Sequence, residues 1–67
     1  MTFVVKSKYD YGDAVEVFGE KYVVVDIEIA DGNDEGYYYI NYLLEAENRE
    51  RVWVPEYEVG GKWEDEE

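Results

Sequence analysis

Residues 21–30 read "KYVVVDIEIA", ten residues without a glycine or proline. Val23, Val25, Ile27 and Ile29 recur at every second position, and Tyr22, Asp26 and Glu28 fill the alternate face. Successive side chains of a strand point to opposite faces, so this alternation predicts one long strand with a core side and a solvent side.

Shorter segments with the same character surround it. "TFVVKSKY" (2–9) reads as a first strand or arm, and "YGD" (11–13) as a turn. "AVEVF" (14–18) alternates, with Val15 and Val17 on one face, and "GE" (19–20) turns the chain into the long strand. "YYYINYLL" (37–44) is aromatic and β-branched and apolar on both faces, with Tyr37 and Tyr39 on one side and Tyr38, Ile40 and Tyr42 on the other. One of these sets belongs to the core and the other to the surface. After a polar connection, "EAENRE" (45–50), "RVWVP" (51–55) forms a strand that stops at Pro55, which cannot donate a ladder hydrogen bond. "PEYEV" (55–59) suits a turn of helix followed by a last strand. The alternative for "NYLLEAENRER" (41–51) is a helix. Strands spaced about ten residues apart with turn residues between them point to a small all-β barrel or sandwich. The expected core is Val15, Val17, Val23, Val25, Ile27, Ile29, Val52 and Val54.

The order "YGDAVEVFGEKYVVVDIE", a long hairpin and then "RVWVPEYEV" resembles a small SH3-like β-barrel of the bacterial and phage type. "KYDY" (8–11) is similar to the "ALYDY" stretch of eukaryotic SH3 domains, and "VPEYEV" (54–59) to their "PxxYV" stretch. Two features depart from that pattern. "GD" follows "KYDY" at once, where an SH3 domain has a long acidic loop, and "YYY" stands where paired tryptophans would begin the third strand. The resemblance implies a five-stranded SH3-like barrel over residues 1–59 with a short 3₁₀ turn near the C-terminus. Residues 60–67, "GGKWEDEE", then read as a flexible acidic tail.

Composition narrows the function. The 67 residues hold no cysteine and no histidine, which removes disulfides, thiolate metal sites, cysteine nucleophiles and histidine-dependent catalysis. Eighteen acidic residues against six basic ones give a net charge of −12, which opposes direct binding to nucleic acid or to an anionic membrane. Eight tyrosines, two tryptophans and two phenylalanines are too many for an acidic disordered chain, so the chain is expected to fold. No apolar run is long enough to cross a bilayer and "MTFVVKSKYD" lacks the pattern of a signal peptide, so the expectation is a soluble cytoplasmic protein.

"DGNDEG" (31–36) matches the first half of a calcium loop, with Asp31, Asn33 and Glu35 at positions 1, 3 and 5. Position 12 of such a loop is a bidentate Glu, and here it is Tyr42. Gly32 and Gly36 suit a hairpin loop instead, and no metal or other cofactor is expected. Asp26 and Glu28 lie about 7 Å apart by strand rise and read as a solvated strand face rather than a catalytic pair. No phosphate-binding glycine loop is present, since "GG" at 60–61 lacks the strand and helix around it. No catalytic residue is assigned.

Surface recognition remains. The expectation is a non-enzymatic interaction module whose acidic surface binds a basic partner protein, with Tyr37, Tyr39, Trp53, Tyr57, Glu45, Glu47 and Glu50 as partner-binding residues. One version is mimicry of nucleic acid, in which carboxylates on a rigid scaffold copy a phosphate backbone, as in small acidic proteins of phages and mobile elements. A second class is an SH3-type peptide binder using Tyr9, Tyr11, Trp53, Pro55 and Tyr57. An aromatic cage for a methylated lysine, as in Tudor relatives of the barrel, is a further possibility. The last is an accessory structural domain without a ligand of its own.

Overall fold

The computed structural model describes residues 6–31 and 38–64. These form five strands: β1 (Ala14–Val17), β2 (Glu20–Asp31), β3 (Tyr38–Ala46), β4 (Arg51–Pro55) and β5 (Gly61–Lys62). A 3₁₀ turn, Glu56–Glu58, joins β4 to β5, and there is no α-helix among the described residues. The protein is all-β, and the window 41–51 is strand and tight turn rather than helix. Residues 6–9 form no strand, and residues 2–5 of the expected first strand lie outside the described residues.

All pairings are antiparallel, in the order β4-β3-β2-β1-β5. β4 and β5 are therefore edges, and the sheet is open where the sequence suggested a closed barrel. Val15 and Val17 of β1 and Val54 of β4 belong to one core cluster with Val24, Tyr42 and Leu44 of the strands between them.

Local chemistry sets the two tight turns. Phe18 (φ 53°) and Gly19 (φ 80°) both have positive φ, as the two-residue turn that suits the twist of a hairpin requires. The turn is thus one residue earlier than "GE". At the same end of the sheet, residues 47–50 join β3 to β4. Ala46 N–H donates to the Glu50 carbonyl (2.8 Å) and Arg49 N–H to the Ala46 carbonyl (2.9 Å). Asn48 Oδ1 accepts the Glu50 N–H at 3.0 Å, and Arg49 takes the left-handed conformation (φ 73°) that closes the loop.

β5 lies inside the stretch expected to be a tail. Gly60 N–H donates to the Glu16 carbonyl (2.8 Å) and Trp63 N–H to the Ala14 carbonyl (2.9 Å), so residues 60–63 are tied to β1. A Cβ at Gly60 would sit 3.3 Å from the Glu16 carbonyl oxygen, so a larger residue there would push the two strands apart by a few tenths of an ångström.

The core differs from the expected list in one systematic way. Val24 pairs with Leu44 and Asp26 with Leu43, so Val25 is an extra residue: a β-bulge. A bulge reverses which face the alternate positions occupy. Before it, Tyr22 and Val24 face the core; after it, Ile27 does. The buried core is Val15, Val17, Val24, Tyr42, Leu44 and Val54, with Tyr9, Tyr22, Ile27, Ile40 and Val59 packed against it. Val15, Val17 and Val54 stand as expected. Val23 and Val25 are only half-buried, displaced by Val24, and Ile29 and Val52 are exposed, with no further element over them among the described residues. Among the strand-37–44 tyrosines, the set Tyr38, Ile40 and Tyr42 is the inward one, and Tyr42 is fully buried.

Candidate interaction site

Tyr42 decides how the arm is held. Its ring meets Tyr9 edge-on, centroids 5.6 Å apart and planes at 67°. Its hydroxyl donates to Glu56 Oε2 (2.5 Å) and accepts the Tyr9 N–H (3.2 Å), while Glu56 Oε2 also accepts the Lys8 N–H (3.0 Å). A buried hydroxyl left without partners would cost about 1–3 kcal/mol, so this network allows a tyrosine in the core. Burial, reinforced by the bond to Glu56, pushes the Tyr42 phenol up to about 12. It stays protonated at neutral pH, as a structural donor. Tyr9, the first tyrosine of "KYDY", is thereby held half-buried against the core. Tyr11 (62% exposed) and Tyr57 (82%) project into solvent.

The expected partner-binding residues divide between two surfaces. Trp53 and Pro55 lie on the outer face of β4. Trp53 opposes Leu43, which opposes Asp26; one row away, Pro55 opposes Asn41 and Asn41 opposes Glu28. Glu45 opposes Arg51 and holds its Nε at 2.9 Å. The outer face is thus an apolar Leu43–Trp53 pair bounded by Asp26, Glu28 and Glu45. Trp53 is 48% exposed, on the face opposite the buried Val54. Tyr39 is exposed on the same face of β3, and Tyr37 lies outside the described residues.

Glu47 and Glu50 belong elsewhere. They edge an open groove of ≈ 630 Å³ at the end of the sheet where β2 begins and the β3–β4 turn closes, with Glu20, Tyr22, Val52 and Trp63 among its walls. Sequence reasoning missed Tyr22, Val52 and Trp63 as groove residues. Tyr22 was placed with Asp26 and Glu28 because the bulge was invisible in the alternation, and Trp63 was placed in the tail. The tryptophan beside "GG" was the available signal, since an apolar ring in an acidic tail has little reason to be there unless it packs.

The calcium-like stretch falls mainly on residues 32–36, outside the described residues. Among the described residues no cluster of three acidic, histidine or cysteine side chains is placed to hold a metal ion. No helix there is long and apolar enough to cross a membrane. Comparison with protein families, with curated proteins and with solved structures gives no match to this chain.

Proposed function

We propose that the protein is a non-enzymatic interaction module that presents an acidic surface to a basic partner protein. One observation carries this reading: the negative charge is left largely unneutralised. The chain has a net charge of −12, and the described residues form only two ion pairs, Glu45–Arg51 at 2.9 Å and Asp13–Lys62 at 3.9 Å. Both involve exposed cations in high dielectric, where a pair contributes little. The field of the remaining carboxylates extends about a Debye length, ~8 Å at physiological salt, and attracts a cationic surface. The half-exposed Trp53 in its acidic border supplies an apolar anchor of the kind that dominates interface energetics.

An SH3-like fold is the architecture that this reading adopts. The strand order, with β1 between β2 and β5, and a 3₁₀ turn before the last strand, supports it. Nucleic-acid mimicry is one version of the same function, with a DNA- or RNA-binding protein as the partner.

Affinity capture from a lysate at low and at high salt, with identification of the retained proteins, is the first test. The retained set is expected to be strongly basic and to elute as salt rises. With a partner in hand, Glu45→Gln, Glu47→Gln and Glu50→Gln together are expected to slow association and flatten its salt dependence, and Trp53→Ala to speed dissociation. A retained set no more basic than the lysate would sink the proposal. Displacement of DNA from the partner would establish mimicry, and a complex that coexists with bound DNA would exclude it.

A further inference from the structure

From the groove at the β3–β4 turn we infer a specific site: it takes a cationic side chain, an arginine or lysine, of the basic partner. This deepens the proposed function and rests on it. The groove combines two kinds of wall. Tyr22 and Trp63 are half-buried aromatics and Val52 an exposed aliphatic residue, so part of the lining is apolar and ring-bearing. Glu20, Glu47 and Glu50 supply carboxylates at its edge.

The charge balance is negative despite two cations in the same lining, Lys21 and Arg51. Arg51 is engaged by Glu45 at 2.9 Å, a residue outside the groove. Three carboxylates therefore face one remaining ammonium, Lys21. None of the three is fixed by a cation: Glu50 accepts from Asn48 Nδ2 at 3.0 Å, and Glu20 from the Tyr22 hydroxyl at 3.5 Å, both neutral donors.

A cation is attracted to an aromatic face by the ring quadrupole, and its methylene stem is suited to apolar walls. Carboxylates at the mouth add charge-assisted hydrogen bonds, which a guanidinium accepts in a planar fork. An anion would meet the carboxylates, and a neutral apolar side chain would bury part of them without compensation. Charge complementarity thus selects the occupant. The groove is on a different surface from the Trp53 face, so the two serve as separate contacts for one basic segment or surface.

The test uses the full chain carrying Trp53→Phe, so that Trp63 is the only tryptophan and its fluorescence reports the groove. The probes are three short glycine-spaced peptides, bearing arginine, lysine or the neutral isostere citrulline. Backbone amide shifts are followed alongside the fluorescence. The arginine and lysine peptides are expected to shift Trp63 emission saturably and to move the amides of residues 20–22 and 46–52, and the citrulline peptide is expected to do neither. Glu47→Gln with Glu50→Gln, exposed turn positions whose replacement keeps the Asn48 acceptor, should weaken arginine-peptide binding about tenfold or more. Neutralising two exposed acids elsewhere, Glu16→Gln with Glu58→Gln, changes the net charge equally and should weaken it less than threefold. Equal binding of the citrulline peptide, or equal losses from the two double variants, would overturn the inference. Basic peptides that bind with shifts centred on Leu43 and residue 53, leaving Trp63 unmoved, would overturn the groove while leaving the acidic module intact. If no basic peptide or protein binds anywhere, the proposed function fails with it.

Discussion

The root and the tip of the β2–β3 hairpin are close in hydrophobicity and opposite in fate. At the root, Val24 opposite Leu44 is 1% and 0% exposed; toward the tip, on the same face, Ile29 is 49% exposed and Tyr38 50%. The strands are the same and the alternation holds in both halves. The neighbours differ. β1 pairs with β2 only over residues 20–23, and β4 pairs with β3 only over residues 41–45. Beyond Asn41 the hairpin continues as two strands with no third strand beside them among the described residues. Alternation tells which side chains share a face, and coverage by other strands decides whether that face is dry.

The comparison is broken first at the root. Leu44→Ala deletes a fully buried side chain in the centre of the five-stranded part and is expected to lower stability by about 2–5 kcal/mol, most of what a domain of this size has. Urea denaturation measures it. A loss below about 1 kcal/mol would mean that the root is no better packed than the tip.

At the boundary between the two halves stands Tyr42, where the arm closes over the sheet. Tyr42→Phe keeps the ring contact with Tyr9 and removes the hydroxyl, leaving the Tyr9 N–H and one lone pair of Glu56 without their partner. The expected cost is about 1–3 kcal/mol. The same hydroxyl gives a pH signature. Its folded value, about 12, lies above the ordinary 10.0, because burial and the Glu56 bond favour the neutral phenol. The stabilisation is therefore complete below pH about 10 and is lost as pH rises towards about 12. In that window the loss approaches about 1.4 kcal/mol per pH unit. The denaturation midpoint of Tyr42→Phe should fall less steeply there than that of the native chain; parallel curves would show that other groups set the alkaline limit.

The smallest effect is expected at the tip. Ile29→Ala, on a half-exposed position, should cost less than about 1 kcal/mol, chiefly the lower strand preference of alanine. A loss as large as that of Leu44→Ala would reveal a second cover over the tip and erase the contrast.

The same logic explains which parts of the site were legible. Trp53 is outward because Val54 beside it is inward and the period is 2, which is local information. Glu47 and Glu50 were expected at a partner surface and do edge a groove, but Tyr22, Val52 and Trp63 reach that groove only through pairings distant in sequence. Trp63 is there because β5 adds to β1, a contact closed over more than 40 residues that no local pattern encodes.

By itself the sequence determined that the chain is all-β, where β2, β3 and β4 run to within a residue or two, that Pro55 ends β4, and that cysteine and histidine chemistry is absent. These follow from backbone preference, side-chain period and composition, which act over a few residues. Only the tertiary structure decided the bulge at Val25, the open edges at β4 and β5, the burial of Tyr42 under Tyr9 and Glu56, and the groove walled by Tyr22 and Trp63. Each of these depends on which strand lies beside which, and on whether a face has another element against it. That information resides in long-range pairing, where a one-residue shift moves a side chain from core to solvent.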